Sequence, residues 1–491
     1  MQCGWLRSFL LASALLVFSQ DVLVVKSQRA KQAMLDRHFD EAERLYSELV
    51  RALPQNPGML MNLGLAQHSA GRYREAITTF AAAMKLQPGL MEAKFLTGVA
   101  YLKLGEPARA IGPLNDTLKA APGHRMAMLE LADALLSTGR CKEAVGHFRK
   151  LAELEPHDAR AWQGLGLSYL GLARESFAAL EKATPDSPYV LALLANSRAQ
   201  EGQFRRAFLL YRQALAKDSR FRGAHAALAE VYRNTGHAEW AGVEEQRERE
   251  LPMPDCATAP AECAFMAGHY EQAFALPPSP PTLYWNSRSY SELAHAALSH
   301  LARLPPSPQI HELIAEAYTV QGPHHHAAEE VIEALRLDPG NSRLQALLAA
   351  SLWRNRDFEA ALPLLIKLVS NNPNSASLNF ELGDTLLQQE EVEKALPPLQ
   401  AAVRIKPDLL PAQASLGRAY KRSGDTNAAI PHLKAALPLD DDGSLHFQLS
   451  RAYERSGNAI LAREALQQFQ SISLAHAKRK IVEDELTISP P

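Results

Sequence analysis

The stretch from Pro57 to Leu90, "PGMLMNLGLAQHSAGRYREAITTFAAAMKLQPGL", decides the fold. Leu60, Leu63, Gly64 and Gln67 follow helical spacing, Gly71 ends that helix, and Tyr73 to Lys85 make a second amphipathic helix that Pro88 closes. Gly64 and Ala76 are the small residues of the pair, and the spacing predicts that the two antiparallel helices cross there, where a larger side chain would push them apart.

Outward from this unit the same phase repeats. Pro54, Pro88, Pro122 and Pro156 are 34 residues apart, as are Pro339, Pro373 and Pro407. An alanine ladder runs through Ala42, Ala76, Ala110, Ala144 and Ala178, then Ala207 and Ala241, then Ala327, Ala361, Ala395 and Ala429. A ladder of small residues runs through Gly64, Gly98, Ala132, Gly166, Ala195, Ala229, Ala315, Ala349, Gly383 and Gly417. Three ladders in one phase mean an array in which each unit buries its apolar face against its neighbours.

The pattern resembles the tetratricopeptide repeat. "AWQGLGLSYL", with Trp162, Leu165, Gly166 and Tyr169, matches that family's first-helix signature, and Gly105, Gly424, Ala110 and Ala429 match its turn and second-helix positions. The resemblance covers about residues 23 to 470 in about twelve repeats and implies an all-α, right-handed superhelical solenoid of antiparallel helix pairs. It implies a protein-binding scaffold and no particular process.

Two departures from the phase are expected to alter the array. The step from Ala178 to Ala207 is 29 residues, which predicts a second helix clipped around Glu175 to Ala183, before Pro185 and Pro188. Between Ala241 and Ala327 the register is interrupted by "LPMPDCATAP", "LPPSPPTLYW" and "RLPPSP". The expected organisation is therefore a first block over 23–250, an irregular junction of shortened helix pairs over 251–307, a second block over 308–470 and a polar tail over 471–491.

At the start, Arg7, the apolar run Phe9 to Phe18 and the small Ser19 read as a signal peptide over residues 1–19, implying export to a periplasmic or extracellular space. The alternatives are an uncleaved membrane anchor and a first helix of the array. A net charge of -2 and an apolar fraction of 47% describe an ordinary folded chain with no general field for nucleic acid or an anionic membrane. Basic residues cluster only in the short "AHAKRK" at Ala475 to Lys480, so no nucleic-acid partner is expected.

In the resembling family the first helices line a concave groove, and ligands meet the residue just after the small packing position. Here that position carries Leu65, Val99, Asp133, Leu167, Asn196 and Glu230, then Glu316, Ala350, Asp384, Arg418 and Arg451. Asn62, Glu130, Glu312 and Glu381 are neighbouring groove candidates. The groove is thus expected to be apolar first, acidic in the middle and basic at the end, against the plain alternative that these charges only solvate helix faces. The family's clamp for chaperone-tail carboxylates is absent at matching positions, which carry Met61 with Leu65, Phe95 with Val99, and Glu312 with Glu316.

No catalytic, cofactor or metal constellation emerges. Three consecutive histidines, His324, His325 and His326, point in different directions at a helix start and do not make a metal face. Phosphate loops, nucleophile elbows and CxxC motifs are missing. Glu244 with Glu245, and Asp440 to Asp442, read as solvated charges, and Cys141 beside His147 as structural. An enzyme, a cofactor, a small-molecule substrate and a metal are therefore not expected, and a membrane only if the N-terminal segment stays uncleaved.

Cys256 and Cys263 fall where the phase predicts a first helix that Pro260 interrupts. A disulfide closing a loop of about eight residues, two free thiols, and metal or redox chemistry with His269 all remain open. The function expected is a noncatalytic scaffold that holds peptide or protein segments in its groove, with a regulatory or substrate-recruiting subunit of a separate envelope enzyme as the alternative.

Overall fold

A computed structural model describes residues 22–322, 324–484 and 488–491. The expected signal segment, residues 1–19, lies outside the described residues. Every element among the described residues is helical, and they pack as successive antiparallel pairs. Contacts divide the chain into two compact units between Leu172 and Ala173, inside the helix Ala159–Ala183 and not in the 251–307 stretch.

The first unit holds a helix over 22–35 paired with Phe39–Ala52, then Pro57–Ser69 with Tyr73–Leu86, Met91–Lys103 with Pro107–Ala120, and Arg125–Ser137 with Cys141–Leu154. Helix starts follow local chemistry: Asn56 caps Pro57–Ser69 by accepting from the Met59 N–H at 3.1 Å, and Pro57 brings its fixed φ to the first turn. Small residues set the approach of each pair. Ala42, Ala76, Ala110 and Ala144 are fully buried, and a Cβ added at Gly64 would stand 2.5 Å from the Phe80 ring of the partner helix.

Each first helix ends in one left-handed residue. Gly71, Gly105 and Gly139 have φ of 78°, 72° and 74°, where only glycine is free of a Cβ clash. The next residue in phase is Ala173, a good helix former, and there the turn disappears. The expected clipped second helix is corrected: Ala159–Ala183 is one continuous helix of 25 residues. Counting 34 back from Ala207 also lands on Ala173, so the five missing residues come from the turn itself. Ala178, placed in the alanine ladder above, is exposed, and Leu180 is buried instead.

The second unit resumes with Pro188–Gln200 against Phe204–Lys217 and Ala224–Asn234 against Ala238–Glu250. One shortened pair follows, Pro260–Met266 with the 3₁₀ turn Tyr270–Ala275. Where a further shortened pair was expected there is a single 23-residue helix, Pro280–Ala302, started by a Ser279 cap and free of glycine along its length. Its buried Tyr284 meets the Tyr189 and Phe221 rings at 5.5 and 5.1 Å, and Ser287 donates to the Ala173 carbonyl at 3.1 Å. Trp285 packs on Phe265 of the short helix, 4.9 Å between centroids. This helix therefore covers part of the surface offered by the pairs before it.

Regular pairs then continue: Pro308–Gln321 with His324–Leu337, Ser342–Arg354 with Phe358–Asn371, Ala376–Gln388 with Val392–Ile405, and Leu410–Ser423 with Thr426–Ala435. Ser444–Arg455 pairs with Ala459–Asp484, which carries helix through most of the expected tail. The left-handed residue recurs at Gly322, Arg356, Glu390 and Gly424, 34 residues apart. Beyond the last helix, the Ser489 carbonyl accepts from the Tyr232 hydroxyl at 2.7 Å.

Candidate functional site

First helices bring the expected groove acids next to basic residues of the following repeat. Arg160, at the start of Ala159–Ala183, reaches Asp133 at 2.5 Å and Glu130 at 3.5 Å on the first helix before it. Arg343 does the same for Glu312 at 2.7 Å and Glu316 at 3.2 Å. Both arginines stand 27 residues after the acid that follows the small packing residue, Asp133 or Glu316, so the pairing is a property of the repeat. Burial nevertheless outweighs Arg160 and pushes the Asp133 carboxyl up to about 6. Glu312 is likewise raised, burial outweighing Arg343.

In the later repeats the acids go further inside. Asp384 is buried and accepts from Ser415 Oγ at 2.8 Å and Trp353 Nε1 at 3.2 Å, with Arg418 Nη2 at 3.8 Å. Three successive first helices are tied by this one carboxylate. Glu381, 8% exposed, has its carboxyl raised to about 7 by burial, with Arg354 only partly offsetting. The expectation that Asp384 and Glu381 offer exposed charge to a groove is therefore corrected: both side chains are buried, and the Asp384 carboxylate is taken up by the neighbouring first helices.

The remaining candidates divide. Asn196 accepts from the Tyr211 hydroxyl, Glu230 is exposed beside Arg233, and Asn62 is half-buried on Pro57–Ser69. Arg451 pairs with Glu454 at 3.1 Å and lies over the Phe447 ring at 5.7 Å. Arg418 lines a cavity. A solvent-facing depression of about 360 Å³ is lined by Leu387 and Gln388 from one first helix, Arg418, Lys421 and Arg422 from the next, and Ser444, Phe447 and Gln448 from the third.

Its charge is lopsided. Arg422 Nη1 donates to the Leu387 carbonyl at 2.9 Å, at the C-terminal end of Ala376–Gln388, where a cation is favoured. Among the described residues Lys421 has only the Gln448 side-chain oxygen, at 3.4 Å, and its ammonium is pushed down by burial first and then by Arg455, Arg418 and Arg422. The Nε of Arg418 is buried without an acceptor among the described residues. Lys421, Arg422 and Phe447 lie outside the groove positions expected from the sequence, which fall on the residue after each packing position or two to three residues before it. One turn further along the same helix, three and four residues past Arg418, finds both cations.

Other sequence readings need amendment. Glu244 is fully buried, not solvated: it meets His225 Nδ1 and, at 2.7 Å, Arg247 Nη1, and the Glu244 hydrogen bond raises the His225 imidazole. Asp440 is enclosed too, accepting from the Leu445 and His446 N–H groups at 2.9 Å as the helix Ser444–Arg455 begins. His325 and His326 are exposed, with His326 beside Glu329 at 3.0 Å, and no metal-holding group of three occurs among the described residues. Cys141 is buried at the start of its helix. Cys256 and Cys263 are joined, their Cα atoms 5.6 Å apart, and Pro260 opens the short helix at its first turn. No described helix is long and apolar enough to cross a membrane.

Two family models, both described as tetratricopeptide repeat, match residues 28–90, 69–125, 129–189 and 347–409, and residues 410–442, together just over half of the chain. The chain belongs to the tetratricopeptide repeat family. Similar to it are human tetratricopeptide repeat protein 13, 26% identical over 33% of this chain, and human protein O-mannosyl-transferase TMTC2, 32% identical over 20% of it. This tetratricopeptide repeat chain spans 20% and 12% of the length of those two relatives. Among solved structures, MamA is 21% identical and covers 34% of this chain and 97% of its own, with a TM-score of 0.30. The Cut9–Hcn1 hetero-tetramer covers 92% and 94% at 14% identity and a TM-score of 0.33. Naa15/Naa10 bound to HypK-THB covers 94% and 96% at 14% identity and a TM-score of 0.36.

Proposed function

We propose that this tetratricopeptide repeat chain is a noncatalytic protein-interaction scaffold, and that its last repeats take a segment of a partner protein across their first helices. The observation that carries the reading is the depression between Ala376–Gln388, Leu410–Ser423 and Ser444–Arg455, which is open to solvent, gathers three cationic side chains, and holds a Lys421 that faces no carboxylate within ion-pair distance among the described residues. Partner segments gain orientation from such groups and affinity from the apolar surface beside them. Earlier first-helix acids are instead committed to Arg160 and Arg343, and Pro280–Ala302 lies across the repeats before it, which supports contact at the last repeats.

Crosslinking and co-purification of the full chain from its native cell test this. The expected result is a partner retained in fixed ratio and crosslinked within 376–455; a chain that purifies with no specific partner sinks it.

Export is proposed as well, on the pattern of residues 1–19 and on the Cys256–Cys263 pairing, which an oxidising space would preserve. A fusion of residues 1–28 to a reporter active only outside the cytoplasm should be active, and cytoplasmic retention contradicts it.

A further inference from the structure

We infer that the depression at Lys421 recognises an acidic–apolar protein segment, one carboxylate side chain seated between Lys421 and Arg418 and a neighbouring apolar side chain laid on Phe447. This rests on the scaffold reading and names the chemistry of the partner.

The charges are what select a carboxylate. Of the three cations, Arg422 is spent on the Leu387 carbonyl and on Glu390 at 3.4 Å, and Arg418 shares Asp384 through Ser415 Oγ, which it meets at 2.9 Å. Lys421 faces no carboxylate within ion-pair distance among the described residues and is surrounded by Arg418, Arg422 and Arg455. An incoming anion relieves that repulsion and gives the Lys421 ammonium the counter-charge it lacks among the described residues. A single uncompensated ammonium, with both neighbouring guanidinium forks already engaged, matches a monoanion and not the double charge of a phosphoryl group.

An apolar neighbour follows from the other wall. Phe447 is 40% exposed although Phe469, 5.1 Å away, and Arg451 hold it in place. A fixed aromatic face beside a partly desolvated ammonium offers apolar area next to the charge, so the two side chains must be near each other on the partner.

The test uses the full chain and a fluorescein-labelled twelve-residue peptide of glutamate, aspartate and leucine, read by anisotropy. Controls replace the acids by glutamine and asparagine, the leucines by serine, or the acids by phosphoserine. The expected result is binding of the acidic–leucine peptide alone, weakened about tenfold by Lys421→Glu and severalfold by Phe447→Ala, and falling with added salt. Lys421→Met, which keeps the aliphatic stem, serves as the second variant, and circular dichroism confirms helix in each. Equal binding of the amide peptide, preference for the phosphoserine peptide, or unchanged affinity in both Lys421 variants overturns the inference. The two readings separate in the cell: a partner still captured by the Lys421→Glu chain removes the inference and leaves the scaffold. Peptide binding by a chain that captures no cellular partner removes the scaffold and leaves the site.

Discussion

Single residues show what the array tolerates. At the left-handed position that ends each first helix, most repeats use glycine, but Arg356 and Glu390 have φ of 62° and 66°. A Cβ there costs energy that glycine avoids, so Arg356→Gly is expected to stabilise the chain by about 0.5–1 kcal/mol, seen as a higher denaturation midpoint. Glu381 gives a pH-dependent case. Its folded-state value near 7 lies above the ordinary 4.5, so ionisation opposes folding: the cost is absent below pH 4.5, grows up to about 7 and is complete above it. Glu381→Gln should therefore raise stability by up to about 3 kcal/mol at pH 8, leave it unchanged near pH 4, and flatten the profile between, measured by urea unfolding across pH. The sequence placed Glu381 on the right helix, yet not its burial, because exposure depends on how neighbouring first helices lean together and not on the 34-residue phase.

At the scale of elements, the repeat phase made nearly every helix pair legible, since glycine and alanine at the crossings and proline after the second helix act locally. What stayed hidden was the loss of a turn. Ala178 keeps the phase of the preceding repeats, so the five-residue deletion reads as a shortened helix, whereas the missing left-handed residue at Ala173 fuses two helices into Ala159–Ala183. The same absence of glycine underlies the uninterrupted Pro280–Ala302. Between these, the bond from Cys256 to Cys263 ties the loop after Ala238–Glu250 to the seven-residue helix Pro260–Met266. Replacing both by serine should cost about 2–3 kcal/mol on the chain-entropy model. Reductant should lower the denaturation midpoint of the native chain by the same amount and leave the serine variant unmoved; equal midpoints for both proteins without reductant contradict the staple.

For the whole molecule, the general scaffold role was legible from the repeat, while the residues that present a binding surface were not. Reading one position per first helix found Arg418, but it also selected Asp133, Glu316 and Asp384, whose charges are answered inside the protein by Arg160, Arg343 and the Ser415–Trp353 pair. Side-chain reach across repeats decides which charges remain available, and that reach is absent from a one-dimensional phase. The central claim, that partner contact falls on the last repeats, is tested most directly by crosslinking mass spectrometry of the full chain in its native cell. Intermolecular crosslinks concentrated on Lys394, Lys406, Lys421 and Lys434 are predicted. Crosslinks confined to lysines before residue 183, with none in 376–455, would contradict the account.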